Sequence, residues 1–240
     1  MERSKEAIIT DIKKFWNKLN NNSRKIHFVI QDSWDYLDNS KDKDNVDICK
    51  VIQLFIGNVV NSLLFGYMNA NNNSKSFFEF VSTLNKSAKK VINKKSKKKL
   101  RQLTDIKIEK CKKTYNFDEE PTNFIHAVMI EIQSIDSKYN YLSSDHLRGL
   151  ALDFRIAGIE TLATTLKWFI LIIMKHLNIQ ERLQNEIDEV IGKENLVQLS
   201  DKAKMSYMRG FIFERQRYIN MVPFVPQHKC TKDTIIKIEN

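Results

Sequence analysis

Glycine and proline are scarce in this chain, with six Gly and three Pro among 240 residues. So few turn-forming residues argue against a sandwich or barrel of many short strands and for long, uninterrupted elements. Cys49, Cys111 and Cys230 are odd in number and show no framework or metal spacing, which excludes a disulfide-stapled or zinc-ribbon scaffold. Their use implies a reducing compartment and no structural disulfides. The first fourteen residues are charged throughout and lack the apolar core of a secretory signal. Long, purely apolar runs are missing too. Val51–Met68 is uncharged and approaches the ~20 residues of a membrane span, but Gln53, Asn58, Asn61 and Ser62 interrupt it, so it reads as a buried core helix. Trp168–Met174 is apolar but far too short.

What is present is helical periodicity and unevenly placed charge. Between Lys86 and Lys113 there are 13 Lys and Arg against only Asp105 and Glu109, a net +11 that accounts for the whole formal +10 of the chain. The run Lys94, Lys95, Lys97, Lys98 and Lys99 suits a solvated loop or a contact with phosphate-bearing lipid headgroups or nucleic acid. No interleaved aromatics or nucleic-acid motif accompany it, which makes nucleic acid the least favoured of these.

The pattern predicts helices over Ser4–Leu19, Ile26–Tyr36 and Asp47–Tyr67, then a polar connector, Asn69–Ser74. Phe77–Ile92 is amphipathic, with Phe77, Phe80, Val81 and Leu84 on one face. A basic loop and helix run to about Lys113, followed by a helix over Thr122–Ile135. A long central helix starts at Ser143 or Ser144 as N-cap and reaches about Met174. Asn178 and Glu181 have the spacing of a capping box, opening a helix with Leu183, Ile187, Val190 and Ile191 inward and Gly192 at its end. Ser206–Tyr218 is the last helix, stopped by Pro223 and Pro226, and Thr231–Ile238 reads as a short strand.

Inside the central helix lies Ala157-Gly158-Ile159-Glu160-Thr161. A helix-interior glycine costs ~1 kcal/mol against alanine, so the position needs room. A carboxylate and a hydroxyl follow at once. The stretch suits a flat cofactor against the helix, with proton donors at its face; it is also compatible with a buried helix that carries a Gly and two polar residues. Downstream, Glu214 and Arg217 form Glu-x-x-Arg, an i,i+3 pair that is weak alone. Its setting is more specific: Lys204-Met205-Ser206-Tyr207-Met208 precedes it, and Val222-Pro223 and His228-Lys229-Cys230-Thr231-Lys232-Asp233-Thr234 follow.

In this order the motifs resemble the second half of an animal microsomal cytochrome P450, with detail around Ile156–Trp168 similar to nematode-type members. Glu120-Pro121-Thr122-Asn123-Phe124-Ile125 extends the likeness upstream, and Val59-Val60-Asn61-Ser62-Leu63-Leu64-Phe65-Gly66 does so more weakly. The resemblance implies a mainly α fold: one partial cytochrome P450 domain over 1–240, built round the long central helix. It divides into a helical region 1–92, a basic loop region 93–120, and 121–240 from the central helix to the Glu-x-x-Arg helix and strand. The family's membrane anchor and first helices would precede Met1, and its haem-cysteine loop would follow Asn240, making this a fragment that holds no iron ligand. Cys230 lacks the glycines of such a loop and reads as an ordinary strand residue.

The resemblance further implies haem as cofactor, and a monooxygenase that inserts one oxygen atom of O2 into a small lipophilic substrate. It implies an NADPH-dependent reductase as partner and the cytosolic face of the endoplasmic reticulum as location, or a cytoplasmic or peripheral one without the anchor. Thr161 would hydrogen-bond dioxygen and Glu160 would relay protons. Ala157 and Gly158 would give dioxygen and substrate room, and His228 would contact a haem propionate. Glu214 and Arg217 would lock the core as a desolvated pair. The lysine run would face the membrane at the entrance to the substrate pocket. Two departures stand out: Arg155 where the family carries a large apolar residue, and Leu162 in place of a hydroxyl residue. The other reading is a non-enzymatic, degenerate helical protein whose basic segment binds anionic lipid or nucleic acid.

Overall fold

The computed structural model describes residues 23–38, 47–68, 75–88, 94–133, 143–193 and 195–221. They form α1 (Ser23–Asp38), α2 (Ile48–Phe65), α3 (Lys75–Ala88), α4 (Lys94–Lys112), α5 (Phe124–Gln133), α6 (Ser144–Lys175) and α7 (Leu177–Val190). A 3-10 turn (Leu199–Ala203) then leads into α8 (Ser206–Ile219). The fold is mainly α, and no strand occurs among the described residues. The helix expected at Ser4–Leu19, the Asn69–Ser74 connector, Pro223, Pro226, Cys230 and the Thr231–Ile238 strand lie outside them.

Local chemistry sets most helix ends. Asp47 caps α2 by accepting from the backbone N–H of Cys49 and Lys50 at 3.1 and 3.2 Å. Gly66 ends α2 at φ 76°, a left-handed conformation that a side chain would strain. Ser143 N-caps α6, as its position predicts, with its N–H donating to His146 Nδ1 at 3.2 Å. α7 starts earlier than the Asn178 reading. The carbonyl of His176 accepts from Ile179 and Gln180, so His176 is the cap and Asn178 lies inside the helix. α8 ends at Asn220, in the left-handed region at φ 40°, before either proline.

α6 has 32 residues, about 48 Å at 1.5 Å per residue. It packs chiefly against α2 and touches α4, α5, α7 and α8 along its length. α3 sits on α2 where Gly57 leaves room: a Cβ there would come within 2.2 Å of the Phe77 ring. Phe77, Phe80, Val81 and Leu84 are all buried, the face their spacing predicts. α2 and α6 are long and apolar enough to cross a membrane. Packing in the core accounts for α2, whose Val51, Ile52, Leu54, Ile56, Leu64 and Phe65 are buried.

The basic stretch, expected as a loop and then a helix, is helical from Lys94 to Lys112, so the lysine run is not a loop. Lysine is a good helix former, and Leu100, Leu103, Ile108 and Cys111 supply a buried stripe at helical spacing. The end of α4 is knotted to the start of α5. Cys111 Sγ donates to Asn123 Oδ1, which also accepts from the His126 N–H, and His126 Nε2 lies 3.2 Å from the Cys111 carbonyl.

Candidate functional site

Ala157 and Thr161 lie one helical turn apart on α6, and both are exposed. They share one exposed strip of the helix face at i,i+4 spacing. The Thr161 hydroxyl donates to the Ala157 carbonyl, which leaves its oxygen lone pairs open to accept. Glu160 is half-buried, and its Oε2 is buried without a hydrogen-bond partner. Such an orphaned oxygen costs about 1–3 kcal/mol unless something meets it.

Gly158 has a packing role as well. A Cβ there would approach Val60 Cγ2 to 3.1 Å, so the missing side chain lets α6 pack closely on α2. The site strip is therefore Ala157 and Thr161, with Gly158 fixing its support.

Arg155 sits about 200° round the helix from Ala157 at 100° per residue. It points away from the strip and is fully buried. Its guanidinium lies 3.7 Å from the Phe80 ring centroid, and Nη1 donates to Thr104 Oγ1 at 2.8 Å, while Nε has no partner. Its place is thus the α3–α4–α6 seam, stacked on an aromatic ring as a large apolar residue would be. Burial pulls its pKa down to about 10. Lys107, also buried, is lowered to about 7 by burial and then by the charges of Arg155 and Lys110. Tyr67 beside them is pushed up to about 12, chiefly by burial.

Glu214 and Arg217 do pair on α8, Arg217 donating from Nε and Nη2 to the two carboxylate oxygens at 2.8 and 2.6 Å. The Arg217 hydrogen bond holds the Glu214 carboxyl below its ordinary pKa. The pair is not desolvated, however: the Arg217 and Glu214 side chains are 72% and 48% exposed. Pairs this open to solvent add little stability.

Sequence reasoning missed what seats that helix. Glu186 of α7 accepts from the N–H groups of Tyr207 and Met208, both at 2.7 Å, and caps α8 from outside. Burial pushes its pKa up, but the hydrogen bonds from Met208, Tyr207 and Ser206 outweigh this and hold it below the usual value. Arg182, one turn earlier, stacks on Tyr207 at 4.3 Å. The only trace in the sequence is the i,i+4 spacing of Arg182 and Glu186.

The Cytochrome P450 family model matches residues 3–237. The chain belongs to the cytochrome P450 family. Mouse cytochrome P450 2J5 is 37% identical over 136 residues, covering 57% of this chain and 27% of that protein. Rabbit cytochrome P450 2A10 is 33% identical over 138 residues, covering 56% and 27%. A zebrafish cytochrome P450 solved with abiraterone superimposes with a TM-score of 0.73 at 21% identity, over 85% of this chain and 49% of that one. The chain thus spans about a quarter of the curated relatives it matches and about half of the solved fold.

Cytochrome P450s are haem oxidoreductases of the monooxygenase type, which makes haem the cofactor to test against this site. The exposed Ala157–Thr161 strip and the unpartnered Glu160 oxygen fit one face of such a group. An iron ligand is not found among the described residues. Cys49 is exposed, Cys111 is buried on Asn123, and no cluster of three His, Cys, Asp or Glu is placed to hold a metal there. His228, read as a propionate contact, lies outside the described residues. The lysine run forms the first turns of α4, where Lys94, Lys95, Lys97 and Lys98 are exposed but Lys99 is tied to Glu79 of α3 at 2.8 Å. An open groove of about 1270 Å³ follows the same face, lined by Lys94, Lys97, Lys98, Arg101, Lys110 and Lys113 among others.

Proposed function

We propose that this chain supplies the central helix and the Glu-x-x-Arg helix of a haem-dependent monooxygenase that inserts one oxygen atom of O2 into a small lipophilic substrate. The observation that carries this reading is the exposed Ala157–Thr161 strip beside a carboxylate oxygen with no partner, on the long helix of a cytochrome P450 fold. Haem held by a cysteine thiolate supplies dioxygen activation, the thiolate pushing electron density toward O–O cleavage. Ala157 keeps the approach to the helix face low. Thr161 Oγ1, its proton engaged by Ala157, accepts a hydrogen bond from a group at that face and can rotate to donate. The Glu160 carboxylate carries protons inward from solvent. Glu214 and Arg217 would lock the core when a further element of the enzyme covers their pair, and His228 would contact a propionate. Electrons come from an NADPH-dependent reductase, at the cytosolic face of the endoplasmic reticulum membrane.

The test is a chimera in which residues 143–221 replace the matching segment of a mammalian relative. It should bind haem, give the thiolate-type reduced carbon-monoxide band and oxidise substrate with reductase. Thr161→Val should divert oxygen consumption from product to peroxide, and Glu160→Gln should slow turnover. A chimera with the normal band but indifferent to both substitutions would overturn these roles. The 240-residue chain alone should not give that band; if it does, and Cys230→Ala abolishes it, Cys230 is the ligand.

A second reading concerns α4, whose exposed Lys94, Lys95, Lys97 and Lys98 favour an anionic surface. Each lysine near such a surface contributes ~1 kcal/mol at low salt. Anionic vesicles should bind the chain, more weakly as salt rises and less when these four are Gln. A salt-resistant preference for one DNA sequence would point instead to nucleic acid and the non-enzymatic alternative.

A further inference from the structure

The open groove of about 1270 Å³ along α4 is lined by six cations and two carboxylates, with Ile106 exposed among them. Both carboxylates are already matched by cations that do not line it: Asp105 pairs with Arg148 at 3.3 Å and Glu109 with Lys112 at 2.8 Å. At the N-terminal end Lys94, Lys97, Lys98 and Arg101 are all exposed. No carboxylate of the described residues lies within ion-pair reach of these four. Their helical spacing puts them on one face, with neighbouring Cβ atoms about 5–6 Å apart. Lys95 is also exposed but does not line the groove, and Lys99 turns to Glu79 of α3. The lysine run is therefore not a uniform charged surface. Lys94, Lys97 and Lys98, joined by Arg101, converge on one hollow.

We propose that this end of the groove binds the phosphomonoester-bearing headgroup of a membrane lipid, a polyphosphoinositide in chemical class. The proposal rests on the reading of α4 as a contact with an anionic membrane surface, and names the headgroup and the residues that select it. A phosphomonoester carries about −1.5 to −2 charge at pH 7 and three strong acceptor oxygens, more than the single charge of a serine headgroup. Phosphates on neighbouring ring carbons present those charges close together, as the four cations require. Arg101 offers a planar fork that takes two oxygens of one phosphate, whereas the lysines act as point charges. The groove is open along its length, so it does not enclose a free ligand. It suits a group presented from a surface, with the exposed Ile106 as an apolar contact beside it.

The full chain is titrated at physiological salt with two sets of vesicles of equal total charge, and binding is read by co-sedimentation. One set carries phosphatidylserine; in the other, phosphatidylinositol bisphosphate replaces part of it. Affinity should be about tenfold higher for the second set, the order of one charge-assisted hydrogen bond. Arg101→Lys keeps the charge and should erase that preference while leaving binding to the serine vesicles unchanged. Lys97→Gln and Lys98→Gln should each weaken binding to the bisphosphate vesicles about fivefold, and Lys95→Gln should leave the preference intact. These side chains are exposed, so the variants keep the helix, which far-ultraviolet circular dichroism checks. Equal affinity for the two sets, or a Lys95→Gln that matches Arg101→Lys, would overturn the headgroup site and leave α4 a general anionic contact. Binding to neither set would overturn both readings. Soluble inositol trisphosphate held as tightly as the vesicles would overturn the lipid assignment in favour of a free polyphosphate. Displacement of the vesicles by duplex DNA would overturn it in favour of nucleic acid.

Discussion

The two ends of α6 are held in different ways. Its first two-thirds closes a core with α2, α3, α4 and α5, in which Phe65, Phe77, Phe80, Leu100, Ile108, Ile125 and Ile159 are almost fully buried. Among the described residues, its last turns meet α7 and α8 around Ile172, Leu183 and Phe211, with Phe169, Ile179, Tyr207 and Met208 half-covered. There the outer faces keep Met174, Leu177, Phe213 and Tyr218 exposed, and polar contacts from Glu186 and Arg182 do much of the joining. One region is held by apolar packing from five helices. The other, which carries Glu214 and Arg217, is thin, and its helix positions depend on caps and on whatever covers those faces.

Core truncations test that contrast most severely. Phe77→Ala should cost ~3–5 kcal/mol, seen in a urea melt, because the ring fills the gap over Gly57. Phe211→Ala should cost less, since its sparse surroundings can collapse, and hydrogen exchange should accelerate in α7 and α8 while α2 to α4 stay protected. Equal losses, spread over the whole chain, would mean that the two regions unfold as one.

The α4–α6 seam gives the next effect. The folded pKa of Lys107 is lowered to about 7 from 10.5, so between those values the unfolded chain binds more protons. Stability therefore rises as pH increases above about 7, and the penalty is complete below it. The melting temperature should climb from pH 7 to about 8.5, before the raised thiol of Cys111 and phenol of Tyr67 act the other way. In Lys107→Met the climb should vanish; a variant that keeps it would assign the dependence to another group.

Smaller again is Glu186→Ala. Losing the cap should cost ~1 kcal/mol and speed exchange at the Tyr207 and Met208 amides. Because the Glu186 pKa is lowered, this stabilisation is present above the ordinary glutamate range and fades as pH falls through the folded value. Wild type and Glu186→Ala should therefore converge in acid, and a gap that persists there would argue that the side chain acts by packing. Glu214→Gln should do least, with no measurable change in melting temperature, since the pair is open to solvent. A clear drop would show that something further covers it.

Helix existence and most of the buried faces were legible in the chain, because apolar spacing at Phe77, Phe80, Val81 and Leu84, or at Leu183 and Ile191, survives into the packed structure. The lysine run was misread as loop because charge pattern concealed a buried stripe that begins only at Leu100. Ala157, Gly158, Glu160 and Thr161 were legible as a motif, whereas the packing of Gly158 on Val60 depends on a helix nearly a hundred residues away.

By itself the sequence determined the helical class, the family, and the residues of the central motif, since spacing and residue type are local properties of the chain. Tertiary structure alone decided that Arg155 turns from the motif into a seam with Thr104 and Phe80, and that Lys107 joins it there. It alone decided that Glu186 caps a helix twenty residues on and that Glu214 and Arg217 remain in solvent. The physical reason is that burial, desolvation and hydrogen-bond partners arise between helices, and no spacing within one helix can specify them.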